Sequence, residues 1–439
     1  QMRNIPDESV DTVITSPPYW GLRDYGGDGK VWGYRHCYRA DGETKKHHEW
    51  EGYTRPSENT RKNNNSLQLK SAYWEPQEQA FCKHCDAWFG QLGLEPTPEQ
   101  YVKNMVKVFD EVKRILKPEG TLWLNLGDTY YNYRGANNRR SDKDLTKRDT
   151  HQRDHHNIDA RPNEMRIGGL KSKDLMGIPW RIAFALQESG WWLRQDIIWA
   201  KPNCMPESVK DRCTKNHEYL FLLTKSANYY YDNEAIKEPV ADATRTNYQS
   251  GSRSNGENKD RQDNDMASRN KDVVYTTRNK RSVWWVGPKP FKGAHFAVFP
   301  IELIEPCVLA GTSEYGCCAE CGAPYTRIVE KEVIKRNRQN EYVKREKECG
   351  MYSMNQTRGG TKTTTKGWRP TCKCDTTDTI PAVVFDPFGG SGTTAIAAIK
   401  HGRKAILTEL NPDYVKIAEK RISDFKQEVG LNKNEVEWV

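Results

Sequence analysis

The sequence predicts a doubly wound α/β fold, a mostly parallel sheet with helices on both faces, carrying polar insertions. Three observations predict it. Short β-branched or apolar runs alternate with longer segments of helical period along most of the 439 residues, the grammar of βαβ units. Two of the strand-like runs stop in turn-forming residues, Ser16-Pro17-Pro18-Tyr19 and Asp386-Pro387-Phe388-Gly389-Gly390, so polar groups are displayed at strand carboxyl ends, where open sheets bind ligands. Between these units lie polar, turn-rich stretches that contain most of the paired cysteines.

Asp11-Thr12-Val13-Ile14-Thr15 has the β-branched content of an interior strand, and the two prolines after Ser16 forbid its continuation. Ser16, the Pro17 carbonyl and Tyr19 would then suit a flat polar group, the competing reading being a stiff turn with a core tyrosine. Residues 101–128 place apolar side chains at helical spacing through Leu116, then a Lys-Pro-Glu-Gly stop and a strand from Thr121 to Leu126. Residues 178–202 repeat helix, glycine and strand, and 217–226 add another strand. Residues 380–422 read strand, glycine loop, helix, strand, helix. This assigns a core to 1–33, 99–238, 283–312 and 380–439. The insertions are a cysteine/histidine segment at 34–98, a candidate target-recognition segment at 239–282 and a basic, ribbon-like segment with four cysteines at 313–379.

Composition bounds the partners. The 68 Lys plus Arg against 59 Asp plus Glu leave +9, a modest excess that favours a polyanionic partner. No apolar run approaches the roughly 20 residues of a membrane span, and no charged-then-apolar leader opens the sequence, so a soluble intracellular protein is expected. Of the 12 cysteines, six fall in close pairs, Cys82-x-x-Cys85, Cys318-x-x-Cys321 and Cys372-x-Cys374. Such spacing suits metal in a reducing compartment rather than a disulfide framework.

The loop Phe388-Gly389-Gly390-Ser391-Gly392 follows a strand ending at Asp386 and precedes a helix opening with Thr393-Thr394. Glycines let the backbone approach a ligand, and a helix amino end favours a carboxylate or phosphate. Glu409, 17 residues after Gly392 at the end of the next strand, stands where a carboxylate would bind a ribose hydroxyl pair. By itself such a loop could serve any dinucleotide.

Taken together, Ser16-Pro17-Pro18-Tyr19 and Asp386-Pro387-Phe388-Gly389-Gly390-Ser391-Gly392 resemble the catalytic and cofactor motifs of S-adenosylmethionine-dependent DNA amino methyltransferases, in the beta order of that family. The likeness continues through "LKPEGTLWLNLGD", "MGIPWRIAFALQESGWWLRQDIIWAKP", "MPESVKDRCTKNHEYLFLLTKS" and "FAVFPIELIEPCVLAGT". The resemblance implies a Rossmann-like methyltransferase sheet. It places Asp386, Phe388, Gly390, Gly392 and Thr393 around the methionine end of the cofactor and Glu409 on the ribose. Phe299 and Pro300 then match the segment that closes over the methionine moiety. It also implies duplex DNA as substrate, a cytoplasmic bacterial, archaeal or phage setting, and a cognate restriction endonuclease as partner. Relatives carry a short strand ending in Gly-Asp before the helix within which this sequence opens, so that strand and its adenine-side contact are expected to be missing here.

The motif's chemistry follows. An exocyclic base amine is a poor nucleophile because its lone pair is delocalised into the ring. If Ser16 and the Pro17 carbonyl accept its two N–H bonds, the nitrogen becomes tetrahedral and its lone pair is freed, so positioning and electrostatics carry the reaction. Tyr19 would stack on a base swung out of the duplex. Serine at position 16 leans toward cytosine N4, as in family members with Ser-Pro-Pro-Tyr, with adenine N6 as the alternative. From another class, the rival is a non-catalytic zinc-bearing DNA-binding protein on the same fold. Pro306-Cys307 is the dipeptide that marks the nucleophile of ring-carbon methyltransferases, but its apolar, helix-like setting points to a buried structural cysteine.

Cys318, Cys321, Cys372 and Cys374 would make a Cys₄ zinc site. Cys82 and Cys85 form a second half-site. Relatives place a cysteine and a histidine just before a Glu-Trp like Glu49-Trp50, which nominates His48 and Cys37, with His47 and His36 as rivals. Residues 331–369 contain 11 Lys plus Arg against 4 Glu, and with 239–282 they are candidate DNA contacts.

Overall fold

The computed structural model describes residues 2–21, 30–32, 37–38, 44–45, 87–131, 169–239, 277–289, 298–334, 360–430 and 436–439. They fall into two units. The first comprises Gln1–Tyr229, Val283–Glu305 and Val383–Val439, the second Tyr230–Ser282 and Pro306–Ala382.

The first unit is built on an eight-stranded sheet. Its strands in chain order are β1 (Val10–Thr15), β2 (Leu116–Leu126), β3 (Trp192–Ala200), β4 (His217–Thr224) and β5 (Val283–Trp285), followed after the second unit by three more. Across the sheet, β1 has β2 on one side and Val383–Asp386 on the other, and both pairings are parallel. β4 runs antiparallel between β2 and β3, and β5 is parallel to β3. Beyond Val383–Asp386 lie Lys404–Leu407 and, at the edge, Val436–Trp438, all parallel.

The helices follow from sequence grammar. In α1 (Pro98–Ile115) the Thr97 hydroxyl caps the start, accepting from the Gln100 amide at 3.2 Å, and Pro98 occupies the first turn. Tyr101, Met105, Phe109 and Val112 recur every three or four residues and are fully buried. α2 (Ile178–Glu188) buries Ile178, Ile182, Ala183 and Leu186 in the same cluster, with Val13, Leu122, Leu124, Phe221 and Phe385 of the sheet. Each of the Val, Leu, Ile and Phe side chains contributes roughly 1.5–3 kcal/mol on leaving water.

β2 begins earlier than its sequence predicts. Leu116 already pairs with Val10, and after a register shift Thr121 pairs with Thr12, so the Lys-Pro-Glu-Gly segment is a bulge within the ladder. The segment before β1 is a single 3₁₀ turn, Met2–Asn4, where the sequence reading expected a helix. Pro6, one residue after Ile5, stops any longer helix there.

The second unit holds an antiparallel hairpin, β6 (Tyr325–Ile334) with β7 (Gly360–Pro370), and the short pair Cys317–Cys318 with Thr379–Ile380. The division between the units falls inside α3 (Ile301–Gly311), at Pro306, whose ring removes one helical hydrogen bond. The last elements of the first unit are β8 (Val383–Asp386), α4 (Thr393–Lys400), β9 (Lys404–Leu407), α5 (Pro412–Val429) and β10 (Val436–Trp438). Among the described residues no helix is long and apolar enough to cross a membrane.

Candidate active site

From β1 the chain passes through α1 to β2 on one side, and from β8 through α4 to β9 on the other. Crossovers are right-handed, so α1 and α4 lie on opposite faces, and the switch point falls between β1 and β8. The Ser-Pro-Pro-Tyr motif leaves the carboxyl end of β1 and the glycine loop leaves that of β8. The topology therefore brings the two motifs together.

Asp386 links them through hydrogen bonds. Its carboxylate accepts from Thr15 Oγ1 at 2.6 Å, Thr394 Oγ1 at 2.7 Å and the Phe388 amide at 3.0 Å. Thr15 precedes Ser16, and Thr394 opens α4, so one buried group fixes both loops. Burial pushes the Asp386 carboxyl up to about 6, against the hydrogen bonds that favour its ionised form.

Around Ser16 the polar groups converge. Ser16 Oγ lies 3.2 Å from Asn125 Oδ1 and 3.2 Å from Tyr19 Oη. Asn125, buried in β2, has its amide orientation fixed because Nδ2 donates to the Tyr219 carbonyl at 3.1 Å. Tyr19 Oη is within 2.9 Å of Asn125 Oδ1 and 2.8 Å of Glu218 Oε2, and Glu218 is paired with Lys201. The Tyr19 ring rests against Gly127, where an added Cβ would come within 2.5 Å of a ring atom. Only glycine leaves the ring in place.

Behind the motif stands a second layer. The Pro18 carbonyl accepts from Tyr101 Oη at 2.7 Å, Trp20 Nε1 donates to the Glu95 carbonyl at 2.9 Å, and the Gly21 amide donates to the Gly93 carbonyl at 2.8 Å. Among the described residues no donor reaches the Pro17 carbonyl. Glu95 itself is fully buried, accepting from the Gly93 amide at 2.8 Å and Asn104 Nδ2 at 3.0 Å. Burial raises its carboxyl to about 7. A carboxyl raised from its ordinary 4.5 stabilises the fold below that value, and the contribution is lost as pH rises through about 7. About 1 kcal/mol of that loss falls between pH 6 and 8. Glu95→Gln, which imitates the protonated acid, should flatten this part of the stability profile in urea melts at the two pH values. An unchanged slope would remove Glu95 as its source.

The glycine loop is shaped for close approach. Gly390 and Gly392 have φ of +49° and +76°, and a Cβ on Gly392 would meet Ala418 and Ile422 of α5 at 3.1 Å. Gly392 caps α4 without a side chain, leaving the first amides of the helix for an anionic ligand. Glu409, just beyond β9, accepts from the Gly390 amide at 2.9 Å and from those of Leu410 and Asn411 at 2.8 Å. Arg421 of α5 donates to Ser391 Oγ at 2.7 Å and to Thr393 Oγ1 at 3.2 Å. This arrangement fits S-adenosylmethionine: a bare helix start for its carboxylate and a fixed acid beside the loop for its ribose. Phe299 and the buried Pro300 stand just before α3, the Pro300 carbonyl accepting from the Leu303 amide.

In the second unit the sulfur atoms of Cys318, Cys321, Cys372 and Cys374 lie within 4.8 Å of one another. Amides of Cys321 and Glu320 lower the Cys318 thiol to about 7, whereas hydrogen bonding to Cys321 raises Cys374. Four thiols crowded in this way form a donor set that a thiophilic divalent cation fits. Cys82, Cys85 and His48 lie outside the described residues, and Cys37 is described only as backbone, in the ladder Cys37–Tyr38 with Thr44–Lys45. Cys307 is fully buried and desolvation raises its thiol well above the ordinary value, as expected of a structural cysteine.

Sequence reasoning missed Thr15, Glu95, Asn125, Gly127, Lys201 and Glu218. The readable signal was a polar residue inside an apolar strand, as in "WLNLG" and "HEYLFLL".

Comparison with known proteins shows the family. Residues 10–320 and 378–420 match the family model N6_N4_Mtase, described as DNA methylase. The type II methyltransferase M.Cfr9I of Citrobacter freundii is 32% identical over 96% of this chain and 84% of its own length. M.XycI of Xanthomonas campestris pv. cyanopsidis is 33% identical over 96% of this chain and 84% of its own. M.SmaI of Serratia marcescens is 31% identical over 96% and 87%. This chain belongs to the N6/N4 DNA methylase family, the S-adenosylmethionine-dependent DNA amino methyltransferases.

Proposed function

We propose that this member methylates the exocyclic N4 amine of cytosine in duplex DNA, by base flipping and direct transfer, rather than adenine N6. The observation that carries this reading is a neutral hydroxyl at position 16, held between Asn125 and Tyr19 at the switch point, together with the use of Ser-Pro-Pro-Tyr by cytosine-N4 members of the family.

S-adenosylmethionine supplies an electrophilic methyl group on a sulfonium. This chain's residues do the rest. Ser16 Oγ and the Pro17 carbonyl accept the amine's two N–H bonds. Tyr19, backed by Gly127, offers its ring to the flipped base. Asp386 fixes the ends of β1 and β8 to each other, so the amine acceptors and the loop that would hold the cofactor keep one spacing. No covalent enzyme intermediate is needed. The designation of the relatives as type II methyltransferases supports a place beside a cognate restriction endonuclease.

Glu409→Ala should weaken S-adenosylmethionine binding by about 1.5–3 kcal/mol, the scale of a charged hydrogen bond lost. Unchanged affinity by calorimetry would take Glu409 out of the site. The target itself is tested by expressing the chain in a bacterial host without other methylases and sequencing its DNA by polymerase kinetics. The expected result is 4-methylcytosine at one short motif; 6-methyladenine would reject the reading.

We also assign zinc to Cys318, Cys321, Cys372 and Cys374. The donor chemistry supports it, four sulfurs being the set that favours zinc over magnesium or calcium. Cys82, Cys85, Cys37 and His48 remain the proposed second set.

A further inference from the structure

Tyr19 Oη has one proton, and both Asn125 Oδ1 at 2.9 Å and Glu218 Oε2 at 2.8 Å are in reach as acceptors. A carboxylate is the stronger acceptor, so the phenol donates to Glu218. Ser16 Oγ, 3.2 Å away, can in turn donate to Tyr19 Oη. An unbroken chain of hydroxyls thus links the end of β1 to a carboxylate on β4. Glu218 is mostly buried, its side chain 18% exposed, and its other oxygen is paired with Lys201, whose ammonium also sits 4.2 Å from the Trp199 ring centroid. Glu218 pairs with Trp199 of β3 through backbone alone, so the ladder does not require an acid at this position.

We propose that Glu218 is the proton acceptor of the methyl transfer, reached from the target amine through Ser16 and Tyr19. The proposal rests on the reading of Ser16 as an amine acceptor. In the reaction a C–N bond forms and the C–S bond breaks, its electron pair remaining on sulfur. The nitrogen is left with one proton in excess. That proton passes to Ser16 Oγ, the serine's own proton to Tyr19 Oη, and the phenolic proton to Glu218 Oε2. Both hydroxyls are thereby left protonated as they began, and Glu218 becomes a carboxylate again when it releases its proton to solvent. Before transfer, the negative charge of Glu218 polarises both hydroxyls and makes Ser16 Oγ a better acceptor, so its effect reaches the transition state. Lys201 sits against the other carboxylate oxygen, leaving Oε2 to Tyr19.

The test is single-turnover methylation of a PCR-amplified, unmethylated duplex of several kilobases at saturating S-adenosylmethionine. Glu218→Gln should slow transfer roughly tenfold or more, the low side of what a positioned acid–base group supplies, with cofactor and duplex affinities unchanged. Tyr19→Phe, which keeps the ring and removes only the link, should slow it similarly. In Glu218→Ala, sodium formate should restore rate where sodium chloride of equal ionic strength does not. A smaller loss in both Glu218→Gln and Tyr19→Phe, or indifference to formate, overturns the proposal. Ser16→Ala, run in parallel, separates the two readings. If it alone is slow, the relay fails and the Ser16 reading stands; if none of the variants is slow, both fail.

Discussion

Replacing Ser16 by alanine is expected to slow methyl transfer on the order of 100-fold, the scale of one transition-state hydrogen bond lost from a preorganised site, while leaving affinity for cofactor and duplex intact. The interaction strengthens as the amine becomes tetrahedral, so its loss belongs to the transition state rather than to ground-state binding. The fold should tolerate the change, because Ser16 lies beyond the last ladder pair of β1, Thr15 with Leu124. Tyr19→Ala should behave differently. It removes a stacking surface worth roughly 1–3 kcal/mol per base, so capture of the flipped nucleotide should weaken along with the rate. Single-turnover kinetics with separate binding measurements distinguish the two, and a Ser16→Ala enzyme that works at the parent rate would reduce the motif to a rigid strand ending.

Stripping metal from the second unit is expected to have the larger effect on stability. The two cysteine pairs bracket the hairpin of β6 and β7, and among the described residues the pairing near them outside that hairpin is the short ladder Cys317–Cys318 with Thr379–Ile380 and one bridge, Cys317 with Pro324. Structural zinc contributes folding free energy directly, and each kcal/mol is worth about 2–4 °C in a domain of this size. A strong chelator, or Cys318→Ser, should therefore lower the unfolding temperature of the second unit by roughly 10 °C or more. Elemental analysis of protein purified without chelator should find zinc, with one equivalent accounted for by these four cysteines and a value near two pointing to the Cys82 and Cys85 set. Absence of zinc would defeat the assignment.

Much of this was legible in the sequence because it depends on local rules. The prolines at 17 and 18 end β1 whatever surrounds them, and the glycines at 390 and 392 take positive φ because the turn into α4 requires it. Helical period located α1 and α2 to within a few residues. Illegible were groups whose role exists only after folding. Thr15 and Asp386 are 371 positions apart and meet because β1 and β8 are neighbours. Asn125 and Glu218 reach Ser16 and Tyr19 across three strands, and nothing in "LNLGD" or "HEYLF" says which face each side chain takes. Glu95 reads as an ordinary acid before a helix, yet its carboxylate is wholly enclosed. The bulge in β2 was missed for the same reason: Leu116 joins the ladder because Val10 lies opposite it.

The most direct test of the proposed chemistry is mass spectrometry of nucleosides from unmethylated duplex DNA treated with the purified protein and S-adenosylmethionine carrying a deuterated methyl group. The expected product is N4-methylcytosine bearing the label, formed far more slowly by Ser16→Ala; label on adenine N6 or cytosine C5, or none at all, would contradict it.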